Sequence, residues 1–154
     1  MNTTIIAVSD SHAATLRELP ARLAGALRRA DIIVHAGDLT EMSLLLELRD
    51  TGQTVAVAGN MDSTAVKIHL PHRQLFTVNG RTVGVTHGSG APTGIAQRVR
   101  ALFPENPDLI VFGHSHVPFT GVVDGVLMVN PGPASSGYAR IGIGEEVSAQ
   151  LVTA

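Results

Sequence analysis

Asp10-Ser11-His12, Gly37-Asp38, Gly59-Asn60, His87-Gly88 and Gly113-His114-Ser115-His116 are the places where this chain collects side chains able to bind a metal. Asp10, Asp38, Asn60, His12, His87, His114 and His116 together offer two carboxylates, one amide and four imidazoles. Each place follows an apolar, β-branched run: IIAVS, DIIVHAG, TVAVAG, RTVGVT and LIVFG in turn. Ligands in α/β proteins gather outside the carboxyl ends of strands. Five such strands lying side by side would make the seven groups converge. Imidazole with carboxylate suits Mn, Fe, Co, Ni or Zn better than Mg, which prefers oxygen. Seven groups are too many for one such ion, whereas a shared carboxylate lets two ions take four protein ligands each. Two divalent ions, two aspartates and one bridging hydroxide leave a formal charge of about +1. Such a site attracts a phosphate, and two ions roughly 3.5–4 Å apart can hold the attacking and leaving oxygens of an in-line displacement.

Taken singly, the pieces are ordinary. Asp-x-His is usually a solvated turn, and Gly37-Asp38 and Gly59-Asn60 are common turn dipeptides. A lone His87 before Gly88 reads as a surface residue. His114 and His116 share a face if extended, which is a stronger sign but still a weak one alone. The specificity lies in the order, and in all five places following a strand. Other candidates stay with plainer readings. His35 belongs to the core or supports the ligands, His69 and His72 are exposed loop residues, and Leu44–Leu46 is core. The glycine-rich stretch from His87 to Gly94 lacks the Gly-Lys-Ser/Thr ending of a P-loop and reads as a tight connection. Asn130-Pro131-Gly132-Pro133 is a turn near the presumed rim, and no Gly-x-Ser-x-Gly elbow is present.

The elements that must position these groups follow from periodicity. Thr4–Ser9, Asp31–His35, Thr54–Ala58 and Leu109–Phe112 read as buried strands. Leu16, Leu19, Leu23 and Leu27 are spaced for a helix that Pro20 interrupts, so a broken start and a firm helix over Pro20–Arg29 are expected. Thr40–Asp50 reads as a helix capped by Thr40 and closed by Gly52, and Pro92–Leu102 as a short one. Asn79-Gly80 and Asp124-Gly125 predict tight hairpins, Leu75–Val78 with Arg81–Thr86 and Gly121–Val123 with Val126–Val129. Tyr138–Ile143 and Glu146–Val152 complete an antiparallel pair. Parallel units followed by hairpins predict an α/β (α+β) chain with mixed sheets and helices packed outside.

Composition narrows the classes. The 154 residues are 44% hydrophobic, enough for one domain with a real core over 1–154. Net charge is −2 with scattered lysines and arginines, which argues against nucleic acid without excluding it. The absence of cysteine rules out disulfides and thiolate sites and is compatible with a cytoplasmic location. The start MNTTIIAVSDSH is not expected to be a signal peptide, and no window approaches the roughly 18 apolar residues of a membrane span. Unpaired sheet edges leave a homo-oligomer open.

Asp10-x-His12, Gly37-Asp38, Gly59-Asn60-Met61-Asp62, His87-Gly88 and Gly113-His114-Ser115-His116 resemble the calcineurin-like metallophosphoesterase superfamily. The form GNMD and the short length are similar to its small bacterial and archaeal phosphodiesterase branch, over roughly residues 4–135. The resemblance implies a four-layer fold, two mixed β-sheets in a sandwich flanked by helices. It implies a dinuclear site: Asp10, His12 and His116 on one ion, Asn60, His87 and His114 on the other, Asp38 bridging. A hydroxide shared by the ions would attack a small phosphodiester in line, with Asp38, Asn60, His87 and His114 as the catalytic set. Mn²⁺ is the first choice of metal, with Ni²⁺, Co²⁺, Fe²⁺ or Zn²⁺ as others. Asp62 would sit behind the ligands, orienting a histidine or a loop amide. Many relatives carry a histidine after the motif asparagine to protonate the leaving group. Met61 stands there and cannot. Three rival readings stand beside it: a protein-binding scaffold of the same fold, as in a eukaryotic sorting complex whose member has lost some of the histidines that are all present here, a nuclease, and a protein that uses metal only for stability. The short segments between motifs leave no room for a cap, so an open site is expected.

Overall fold

The apolar runs alternate between two buried faces, which is why they read as continuous rather than amphipathic strands. The computed structural model describes residues 2–154. Its elements are β1 (Thr3–Val8), a 3₁₀ turn (Leu16–Glu18), α1 (Ala21–Arg29), β2 (Ile32–His35), α2 (Met42–Thr51), β3 (Gln53–Ala56), α3 (Thr64–His69), β4 (Arg73–Val78), β5 (Arg81–Thr86), α4 (Ile95–Ala101), β6 (Leu109–Val111), β7 (Phe119–Val123), β8 (Val126–Asn130), β9 (Gly137–Ile143) and β10 (Val147–Thr153). They form two mixed five-stranded sheets, ordered β10-β9-β1-β2-β3 and β4-β5-β6-β8-β7.

In β1, Ile5 and Ala7 join the core shared with Val83, Val85, Leu109 and Val111 of the other sheet. Ile6 and Val8 face the opposite way, into a core with Leu23, Leu27, Leu44 and Leu48 of α1 and α2. In the second sheet Ile110 and Phe112 pack on Ile95, Val99 and Phe103 from α4 and the residues after it. The layers are thus helices, sheet, sheet, helix. The strands leading to the candidate ligands run parallel: β1 with β2, β2 with β3, and β5 with β6.

Several expectations need correction. The five strands do not lie side by side. Three are in one sheet and two in the other, because the apolar surface common to both sheets favours closing a sandwich over widening one sheet. Thr40 does not cap α2. It has φ 75°, and Glu41 precedes the helix without a side-chain cap. Gly52 does follow α2, but with extended backbone, leading directly into β3. Leu46 is 54% exposed while Leu44 and Leu45 are buried. The short helix after the glycine-rich stretch starts at Ile95, with Gly94 at its cap at φ 75°. His69 is the last residue of α3 rather than part of a loop, although it is exposed, as is His72. Both hairpin dipeptides hold as read, with Asn79, Gly80, Asp124 and Gly125 all at positive φ.

Candidate metal centre

The chain reverses abruptly after each parallel strand, and those reversals carry the ligands. Asp10, His12, Asp38, His114 and His116 have φ of 52°, 46°, 58°, 72° and 62°, the left-handed region that non-glycine residues seldom occupy. Strain of this kind collects at functional sites, where surrounding contacts hold it in place. The contacts here tie one strand end to the next. The amides of Asp10 and His12 donate to the carbonyls of Gly37 and Asp38, at 3.0 and 3.2 Å, and the Gly113 amide donates to His87 O at 3.0 Å. Across the two sheets, His87 Nδ1 meets Ala36 O at 2.8 Å, and the His114 amide donates to Asp10 Oδ2 at 3.2 Å. Two glycines permit this closeness. A Cβ on Gly37, whose φ is +103°, would lie 2.7 Å from the His87 ring, and one on Gly113 would collide with Ser9 Oγ.

Two groups of donors result. Asp10, His12 and His116 bring their ligand atoms within 4.8 Å of one another, as do Asp10, Asp38 and His87. Asn60 and His114 stand beside the second group. Asn60 Oδ1 is 3.1 Å from His87 Nε2, and the His114 ring meets His87 edge-on at 5.2 Å between centroids. All seven sequence candidates are therefore brought to one place. The carboxylate common to both groups is Asp10, whereas the resemblance puts the shared one at Asp38. Each aspartate has one oxygen taken. Asp10 Oδ2 accepts from Ser9 Oγ at 2.7 Å, and Asp38 Oδ1 accepts from the Met61 amide at 2.7 Å. Asp10 Oδ1 and Asp38 Oδ2 are left facing the histidines.

The donors fit a cation. Asp10 Oδ1 is buried without a hydrogen-bond partner, with His116 Nε2 at 3.3 Å and His87 Nε2 at 3.7 Å. A buried, unsatisfied carboxylate oxygen is costly, and a metal ion removes the cost. His87 tells the same story. A carbonyl only accepts, so Nδ1 carries a proton toward Ala36 and Nε2 faces three oxygens: Asn60 Oδ1, Asp38 Oδ2 at 3.2 Å and Asp10 Oδ1. Without metal, Nε2 must also be protonated to be tolerated there. Burial works against that charge, but the hydrogen bond and charge of Asp38 and the charge of Asp10 hold the His87 pKa above its ordinary value. Burial likewise pushes the Asp38 carboxyl up, yet the His87 hydrogen bond, the Met61 amide and the imidazole charges keep it below the usual range. An ion replacing the Nε2 proton would use the same lone pair.

Supporting residues surround this core. The Asp62 carboxylate accepts from the amides of Gly59, Asp38 and Thr40, at 2.7, 3.1 and 2.6 Å, tying the loops after β2 and β3 together. His35 is fully buried. Its Nδ1 accepts from the Gly37 amide at 3.1 Å, so its Nε2 donates to Ser11 Oγ at 2.8 Å. Burial, with the nearby charges of His87 and His12 outweighing Asp38, pushes its pKa down to about 3. Asn130, also fully buried, holds Gly113 O at 3.2 Å and Ser115 Oγ at 3.1 Å. Sequence reading placed the Asn130 turn only at the rim and assigned Ser9 and Ser11 nothing. Their signal was adjacency, since both serines flank Asp10.

The model of the calcineurin-like phosphoesterase superfamily domain matches residues 3–144. The chain belongs to this superfamily. It is 35% identical over 127 residues to a probable metallophosphoesterase of Methanothermobacter thermautotrophicus, covering 81% of this chain and 73% of that one. It is also similar to the solution structure of Thermotoga maritima protein TM1076, with TM-score 0.78, 34% identity and 99% of both chains covered. Vps29 from Chaetomium thermophilum shares the fold, with TM-score 0.80, 18% identity and 98% and 94% of the two chains covered. Membership makes the chain a metallophosphoesterase, a phosphoric ester hydrolase by family, with buried aspartate and histidine metal-site candidates. No helix among the described residues is long and apolar enough to cross a membrane.

Proposed function

We propose that this chain is a two-metal phosphodiesterase acting on small diesters. The observation that carries the reading is Asp10 Oδ1, a buried oxygen without a hydrogen bond, faced by His87 and His116 from two different loops. Asp10, His12 and His116 would hold one divalent ion, Asn60, His87 and His114 the other, and Asp38 Oδ2 would be shared. Manganese is the first choice among the borderline metals. When bound, the ions would supply a deprotonated water and positive charge at the phosphate oxygens.

The chain's own groups do the rest. Asp38 is held in one orientation by the Met61 amide, and the loops on which Asp38 and Asn60 sit are held by Asp62. His12, Asn60 and Met61 are exposed, so substrate reaches the site without a lid opening. Beside His114-Ser115-His116 lies a cleft of about 360 Å³ walled by Ile95, Phe112, Val117 and Phe119. An apolar wall suits an aromatic ester group better than a charged one. Met61, 60% exposed where a histidine would protonate the leaving oxygen, favours leaving groups that need no proton.

The test is manganese-dependent hydrolysis of bis(p-nitrophenyl) phosphate, expected to fall at least about 10²-fold in Asp38→Asn and in His114→Ala. Full activity in both variants would refute the site. A folded protein that binds ions and hydrolyses nothing would turn the reading toward the scaffold role.

A further inference from the structure

Arg98, in α4, spends its whole guanidinium on the glycine-rich loop that follows His87. Nε and Nη2 donate to Ser89 O at 3.2 and 2.8 Å, Nη1 donates to Thr93 O at 2.8 Å, and Nη2 also reaches Ala91 O. Among the described residues, no backbone–backbone hydrogen bond holds residues 88–91, so the arginine supplies what the main chain does not. Gly90 sits between two of the held carbonyls at φ +83°, and a Cβ there would lie 3.1 Å from Arg98 Nη2. The Gly90 carbonyl, between the held carbonyls of Ser89 and Ala91, is not bound by the arginine, and it meets His114 Nε2 at 3.0 Å.

That contact fixes chemistry. A carbonyl accepts only, so His114 must carry its proton on Nε2, leaving the lone pair on Nδ1. Ligand histidines are commonly oriented in this way by a backbone carbonyl on the other nitrogen, and loss of such a partner typically weakens metal binding 10–100-fold. We infer that Arg98 is a positioning residue for His114: through the 89–93 loop it sets the imidazole tautomer that leaves Nδ1 able to hold an ion. The inference rests on the reading of His114 as a ligand, but its first consequence exists before any metal binds.

The decisive experiment is nitrogen NMR of the histidine rings in metal-free, ¹⁵N-labelled protein, followed by calorimetric titration with Mn²⁺. Wild-type His114 should be a single Nε2–H tautomer. Arg98→Ala should mix the tautomers and weaken one of the two ions about 10–100-fold, leaving the other within about twofold. Arg98→Lys should recover only part, because one ammonium cannot span three carbonyls. Arg100→Ala removes a neighbouring arginine that holds Phe103 O, Asn106 Oδ1 and Asp124 O, and should change neither readout. An Nδ1–H tautomer in the wild type would overturn the inference without any variant. So would an unchanged tautomer and unchanged affinities in Arg98→Ala. A protein that takes up no ion would sink the two-metal reading, and the tautomer would still decide the role of Arg98.

Discussion

His35 and His87 show how neighbouring charge assigns opposite roles to two buried residues of one type. His35 has two neutral hydrogen-bond partners, and burial with the charges of His87 and His12 outweighs Asp38, so it stays neutral, at about 3. Its folded pKa lies below the unfolded value, so the unfolded chain binds the extra proton between roughly pH 3 and 6.5, and stability rises with pH through that window. His87, raised by Asp38, acts in the other direction in the metal-free protein. Its contribution is present below about pH 6.5 and is lost as pH rises through its folded pKa. Urea unfolding of metal-free His35→Gln should therefore lack part of the acid destabilisation, on the order of 4 kcal/mol across the window. An acid limb as steep as that of the wild type would contradict this. Met61 allows a second prediction at this scale. Its amide, not its side chain, holds Asp38, so Met61→His keeps that bond and adds a proton donor. Turnover of alkyl diesters should rise at least about tenfold relative to aryl ones. An unchanged ratio, or a rate in the parent indifferent to leaving-group pKa, would count against the missing-acid account.

At the scale of elements, the strands were legible and the turns after them much less so. Burial of Ile5, Ile6, Ala7 and Val8 on both faces needs only β-branched and aliphatic residues in a row, which the sequence displays. The left-handed backbone at Asp10, His12, Asp38, His114 and His116 is invisible in composition, because those residue types are chosen for chemistry, not for φ. α3 escaped notice although Ser63 accepts from the Val66 amide at 3.3 Å as a side-chain cap. Its six residues bury little apart from Val66, too short a pattern to stand out. Thr40 is not the cap because α2 starts two residues later, with Glu41 at the cap position, while Thr40 lies at φ 75° with its amide on the Asp62 carboxylate. Support from distant elements was equally unreadable, and Asn130 is the sharpest case. Asn130→Ala leaves Gly113 O and Ser115 Oγ without their amide donor. Thermal or urea unfolding should show a loss of about 1–3 kcal/mol, with weakened metal binding. Unchanged stability would mean the amide is not what holds the His114–His116 loop.

Over the whole molecule, the convergence predicted from one sheet is achieved by two. The parallel strands of each sheet end at the same side of the sandwich, and bonds such as His87 to Ala36 and His114 to Asp10 close the gap between sheets. The order of ligands along the chain was therefore readable, while their spatial grouping was not. Nothing in the spacing reveals that Asp10, the first ligand in the sequence, lies in both groups of donors. Anomalous scattering from a crystal grown with Mn²⁺ and phosphate addresses that grouping directly. The account predicts two peaks per chain, Asp10, His12 and His116 around one, Asn60, His87 and His114 around the other, and Asp38 Oδ2 touching both. An empty pocket at saturating metal, or two ions joined by Asp10 with Asp38 on one alone, would contradict it.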